Sequence, residues 1–181
     1  MHTRETRAAA EVRASGMQLT GYAAVFDSPS DDLGGFIEYV RRGAFRRSLE
    51  GNRADPLALI HHMPHMVLGR RSAGTLRLAE DTHGLHFEID LPNTTTARDL
   101  AVSVERGDVK GASFAFAVAK DGDRWSTDSG KAVRELLEVD LFEITITPVP
   151  AYPDTEVARR ALATCKPSPR VVAARRWLEA L

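Results

Sequence analysis

The sequence predicts an α+β fold, a mostly antiparallel β-barrel of about seven strands with helices surrounding it. Two observations carry that expectation. Short apolar or alternating runs recur along the chain with hairpin-length, turn-rich segments between them, the pattern of antiparallel pairing. Helical spacing is confined to a few short stretches, so most strands are joined by loops, and an antiparallel sheet that closes on itself fits best. With 181 residues the chain has the size of one domain, enough to bury roughly two thirds of its unfolded surface without staples.

Taken in order, residues 1–16 are charged and read as a flexible N-terminal arm. MQLTGYAAVF (17–26) is small, aromatic and partly alternating, as a strand is. DSPSDDLGG (27–35) is an acidic loop rich in turn residues, and FIEYV (36–40) is a short strand. In GAFRRSLEGN (43–52), Phe45 and Leu49 lie four apart, and Gly51 with Asn52 can end a short helix. PLALIHH (56–62) reads as a buried strand, followed by a Met-Pro-His-Met turn and then VLGR (67–70). TLRLAEDTHGLHFEIDLP (75–92) alternates around a turn at Asp81–Gly84, a hairpin. NTTTARDLAVSVERGDV (93–109) is helical, with Thr94 to Thr96 as candidate caps and Gly107 as its end.

KGASFAFAVAKDGDRW (110–125) reads as a strand running into a turn, and VRELLEVDLFEITITPVP (133–150) as one long strand. TEVARRALA (155–163) is a helix, KPSP (166–169) a linker, and RVVAARRWLEAL (170–181) an amphipathic helix. The expected division is therefore an arm at 1–16, a barrel domain at 17–165, and a linker and C-terminal helix at 166–181.

Composition excludes several classes. The chain is 43% hydrophobic and 27% charged with a net charge of −1, so no overall basic field points to nucleic acid. No apolar run approaches the roughly 20 residues that span a bilayer, and the first residues lack the apolar core of a signal peptide. Cys165 is the lone cysteine, which fits a reducing compartment such as a cytoplasm.

Candidate chemistry lies on three segments. Side chains alternate across a strand, so LLEVDLFEITI should place Leu137, Val139, Leu141, Glu143 and Thr145 on one face. A carboxylate on an apolar face is costly unless paired or hydrogen-bonded. Glu143 either bonds a buried backbone group or an arginine, or it orients a histidine as the third member of a Ser-His-acid set. Asp140 and Glu138 are alternatives that need a β-bulge to reach that face.

Ser113, in GASFAF, is a hydroxyl among small residues that let a substrate backbone approach; its plain alternative is a hydroxyl bonded to a neighbouring strand. His61 and His62 end an apolar strand and point to opposite faces, so at most one meets Ser113, while His65 lies in the loop after Pro64. Zinc held by His61, His62 and His65 is a weaker reading, because Pro64 prevents the helix that would align two histidines. His83 and His86 face solvent from the hairpin. A Ser-His-acid set would activate a serine that is a weak nucleophile by itself.

On these residues the chain resembles the prohead maturation serine proteases of tailed phages, distant relatives of herpesvirus assemblin. The resemblance runs over residues 21–153. It rests on GYAAVFDS…GGFIEYVRRGAF, on LALIHHMPHMVLGR, on GDVKGASFAF and on LLEVDLFEITITPVPAYP. It implies an assemblin-like barrel with Ser113 as nucleophile, His62 as base and Glu143 as third member. The family's usual Asn-His-Asp triplet is His61-His62-Met63 here, which leaves the choice between His61 and His62 open.

The resemblance further implies a serine endopeptidase that cuts scaffold segments from the major capsid protein, and cuts itself. It would act inside the assembling procapsid, in the bacterial host cytoplasm. No cofactor or metal, no nucleic acid and no membrane is expected; capsid protein, scaffold and other copies of the protease are. Backbone N–H groups near Ser113, with Arg70 or Arg71, are the expected oxyanion donors, and a substrate strand is expected to add to an exposed sheet edge. The charged tail helix, with Arg175, Arg176 and Trp177, is a candidate docking segment. The rival from another class is a non-enzymatic capsid-associated barrel that serves as a scaffold or interaction module, for which Met63 is the only hint.

Overall fold

A computed structural model describes residues 4–10, 12–51 and 54–148. The expected helices at 155–163 and 170–181, the KPSP linker and Cys165 lie outside the described residues. Among the described residues, twelve strands and two helices follow one another in the α+β manner expected. They are β1 (Glu5–Ala10), β2 (Val12–Ser15), β3 (Gln18–Val25), β4 (Phe36–Val40), α1 (Arg46–Leu49), β5 (Leu57–Ile60) and β6 (Met63–Arg70). After these come β7 (Leu76–Glu80), β8 (Gly84–Asp90), α2 (Thr95–Glu105), β9 (Gly111–Val118), β10 (Asp123–Asp128), β11 (Lys131–Leu136) and β12 (Val139–Thr147).

The single closed barrel is not found among the described residues. The strands group into three sheets, ordered β1-β9-β12-β5-β6, β2-β3-β8-β7 and β10-β11-β4. Pairing is mostly antiparallel, but β12–β5 and β11–β4 are parallel. The first two sheets share a core. Leu19, Leu85, Phe87 and Ile89 of the four-stranded sheet lie in one buried cluster with Phe114, Phe116, Ile144 and Ile146 of the five-stranded sheet. Helix α2, capped by the Thr94 hydroxyl accepting from the Ala97 N–H, adds Leu100 and Val104 to that cluster.

Three local expectations are corrected. Residues 5–10 and 12–15 are not a loose arm but form β1 and β2, with β1 antiparallel to β9 from Glu5↔Phe116 to Ala10↔Gly111. Their charges do not mark solvent, because Glu5 and Arg7 are buried in ion pairs with Arg134 and Glu38. Met63–Met66 is not a turn; it opens β6, and Pro64 is tolerated there because β6 is the outer strand of its sheet.

The supposed single strand at 133–150 is two strands, β11 and β12, in different sheets. The break at Leu137–Glu138 is held by Gly122, whose carbonyl accepts the N–H groups of both residues at 2.8 and 3.0 Å. A Cβ on Gly122 would stand 2.3 Å from the Glu138 carbonyl oxygen. Gly122→Ala is therefore expected to cost about 1–3 kcal/mol, as overpacking does, read as a lowered denaturation midpoint with an unchanged denaturant slope.

Candidate active site

Strand β9 supplies the centre of the site. Its residues alternate by size: Phe114 and Phe116 enter the shared core, whereas Ser113, Ala115 and Ala117 form a small-residue face on the other side. On β12, Thr145 lies opposite Ser113 and Glu143 opposite Ala115. That alignment depends on a bulge. The register slips between Leu141 and Glu143, so Phe142 has no partner on β9 and is exposed. An unbroken strand would put Leu141 and Glu143 on one face. The bulge instead sets Leu141 opposite Phe116 and turns Glu143 toward the Ser113 side.

The Ser48 hydroxyl of α1 steadies this start of β12. It donates to the Val139 carbonyl at 2.7 Å and accepts the Leu141 N–H at 2.8 Å. The same bulge places Asp140 opposite Ala117, but Glu143 is the carboxylate that meets a histidine. Glu138 is held by Arg47.

The histidines are not on a strand. β5 stops at Ile60, and His61 and His62 form the two-residue turn into β6, with φ of 51° and 57°. Positive φ at both central residues is the signature of the tight hairpin turn that usually holds Asn-Gly. Side chains larger than glycine or asparagine carry strain there, of the kind that concentrates at functional sites. Two contacts to β12 hold the turn: the His61 N–H donates to the Ile146 carbonyl at 3.2 Å and the His62 N–H to the Thr145 hydroxyl at 2.9 Å. Thr145, wholly buried, donates its own hydroxyl hydrogen bond to the Leu59 carbonyl at 3.1 Å.

So held, the His62 ring bridges the other two groups. Its Nε2 lies 3.1 Å from Ser113 Oγ and its Nδ1 2.6 Å from Glu143 Oε1. His61 instead points its Nδ1 toward the Thr147 hydroxyl at 3.4 Å. Glu143 also pairs with Arg4. Burial pushes its carboxyl up, but hydrogen bonds from His62 and Arg4 outweigh burial and hold it below the usual carboxylate range. Ser113 is fully buried, and its hydroxyl donates to the Arg7 carbonyl of β1 at 2.6 Å.

Other expected residues lie elsewhere. Arg70 pairs with Asp55, and Arg71 donates to the carbonyls of Leu49 and Ala54, so both brace the loop after α1. His83 is exposed and His86 half-buried, each edge-on to Tyr22. No cluster of three metal-ligating side chains occurs among the described residues. Sequence reasoning missed Arg4 and Arg7, and put Thr145 on the Glu143 face without its contact to His62. Only the alternation of Glu5, Arg7 and Ala9 with Thr6, Ala8 and Ala10 could have flagged β1.

Thr145 has a checkable effect. Thr145→Val keeps the volume and removes the acceptor for the His62 N–H. It is expected to lower kcat about 10- to 100-fold with KM little changed, the order of effect from misplacing a reacting group by about 1 Å, and Thr145→Ser is expected to restore most of it. Equal losses for Val and Ser would show that the hydroxyl does not position His62.

A hydroxyl, an imidazole and a carboxylate set side by side in that order on a β-sheet scaffold have the arrangement of serine hydrolases. The chain belongs to the caudovirus prohead serine protease family, whose family model matches residues 3–167. It is 30% identical over 141 residues, 76% of its length, to the prohead protease of Enterobacteria phage HK97. The chain spans 57% of the length of that relative. No solved structure matches it.

Proposed function

We propose that this chain is a serine endopeptidase of phage procapsid maturation, with Ser113 as nucleophile, His62 as general base and acid, and Glu143 as the group that orients His62. The observation that carries the reading is the convergence of three side chains in a chain of the prohead protease family: His62 lies with its Nδ1 2.6 Å from Glu143 Oε1 and its Nε2 3.1 Å from Ser113 Oγ. Ser113 Oγ attacks the scissile carbonyl carbon and its proton passes to His62 Nε2. The tetrahedral intermediate expels the amine, which takes that proton, and water then hydrolyses the acyl-serine. Glu143, an anion held on Nδ1, fixes the ring and stabilises the imidazolium. The substrates on this reading are the major capsid protein and its scaffold segment, and the enzyme's own chain. The reaction takes place inside the assembling procapsid, where copies of the protease associate.

Co-expression with the capsid protein encoded beside it tests the reading. A shortened capsid band, mapped by mass spectrometry, supports the protease. An uncut capsid that co-purifies with the chain would favour the non-enzymatic interaction module.

A further inference from the structure

Ser113 can be reached by a peptide from few directions. On one side β9 is paired with β12, which is itself paired with β5. On the other side lies β1, the outer strand of the sheet. A substrate backbone that pairs with β9 beside Ser113 as an added strand must take the track that β1 now fills. Ala8 lies opposite Ser113, and the preceding carbonyl, that of Arg7, holds the serine proton at 2.6 Å. The same proton cannot at the same moment serve His62 Nε2, and β1, while it stays in place, keeps any other strand off this edge of β9. Arg4, from the residue just before β1, is drawn onto Glu143 and over the Phe142 ring.

The other face of β1 shows what the track reads. Arg7 crosses over Phe116 and places its guanidinium on both oxygens of Glu38, a β4 carboxylate that is 3% exposed. Glu5, two residues earlier, is held by Arg134 of β11, 4% exposed, at 2.6 and 3.0 Å. Buried ion pairs add little stability over apolar packing, but they discriminate strongly against a chain that leaves one charge unpaired. If β1 leaves, Glu38 and Arg134 retain each other at 3.2 Å and each loses a partner.

We propose that β1 occupies the substrate track of this protease as a built-in substrate mimic, and that Glu38 and Arg134 select an extended segment with the pattern Glu-x-Arg, cut after the arginine. The proposal rests on the serine-protease reading above. An incoming strand adds to the Gly111–Phe116 edge by main-chain pairing, its arginine on Glu38 and its glutamate on Arg134. The arginine carbonyl is then the one beside Ser113. The serine oxygen bonds to that carbonyl carbon, the serine proton moves to His62, and the C–N bond breaks with that proton going to the departing amine.

The test uses the full chain and the acetylated hexapeptide Glu-Thr-Arg-Ala-Ala-Ala, with versions carrying Gln for Glu or Gln for Arg. Cleavage after arginine is expected, and the Gln-for-Arg peptide is expected to react about 10- to 100-fold more slowly, the worth of one charge-assisted hydrogen-bonded pair. Arg7→Ala, which frees β1 from Glu38, is expected to raise the rate on the parent peptide several-fold. Equal rates for the Arg and Gln peptides would overturn the selection, and a folded Arg7→Ala protein with an unchanged or lower rate would overturn the mimicry. If Arg7→Ala fails to fold, the peptide panel on the unaltered chain still decides. A fluorophosphonate probe separates the two levels: labelling at Ser113 without arginine preference sinks this inference and leaves the serine protease standing. No labelling and no hydrolysis, in the unaltered chain and in Arg7→Ala alike, sinks both.

Discussion

Ser113→Ala is expected to leave the co-expressed capsid protein at full length and to lower the hydrolysis rate about a million-fold, the loss typical when a serine nucleophile is removed. The size follows from the chemistry. No other hydroxyl on the small-residue face of β9 stands within reach of His62 Nε2, since Ala115 and Ala117 occupy the next positions on that face. The variant should fold. It deletes one buried oxygen whose partners are His62, itself half-exposed, and the Arg7 carbonyl. Thermal unfolding therefore accompanies the assay: a variant that unfolds within a few degrees of the parent and leaves capsid uncut assigns the chemistry to Ser113. Retained cleavage would assign it elsewhere.

Glu143→Gln carries the second largest effect. A neutral amide in place of the carboxylate removes the charge that favours the imidazolium, and it can hold the ring in the wrong tautomer. Comparable replacements lower kcat about 10,000-fold with geometry preserved. The loss is expected in kcat rather than KM, because the Glu143 carboxylate lies on His62 Nδ1, away from the Ser113 side of the ring. Its carboxyl is held below the ordinary value when folded, so its share of stability is present above the ordinary glutamate range of about 4 to 5 and is lost as the pH falls through the lower folded value. Glu143→Gln should remove that acid sensitivity. Stability measured against pH is expected to fall less steeply in acid for the variant than for the parent; parallel curves would mean that the pairing with His62 and Arg4 contributes nothing.

Much of the local structure was legible because apolar alternation reports burial. β4 occupies the expected residues 36–40, and the 75–92 hairpin and the helix capped at Thr94 lie where pattern and turn chemistry put them. The misses share a cause: contacts between distant residues that change what a local pattern means. Charges in β1 read as solvent-facing until Glu38 and Arg134, from other strands, neutralise them. The bulge at Phe142 inverts the faces of β12, and no propensity announces a bulge. His61 and His62 read as strand residues because a positive φ at histidine is an exception that tertiary contacts enforce. The closed barrel failed for a similar reason. Strand count and loop length predict antiparallel pairing, but not the parallel joins of β5 to β12 and of β4 to β11 that divide the strands into sheets.

The wide spacing of the paired strands orders events during synthesis. Residues 62, 113 and 143 come from separate stretches of chain, and β12 bridges them only once Thr147 has emerged from the ribosome. β1 precedes the other described strands, yet its partner β9 lies more than a hundred residues later, so it must wait while those residues are made. A nascent chain thus has no assembled cutting centre, and the strand that masks Ser113 is already waiting when that centre first forms.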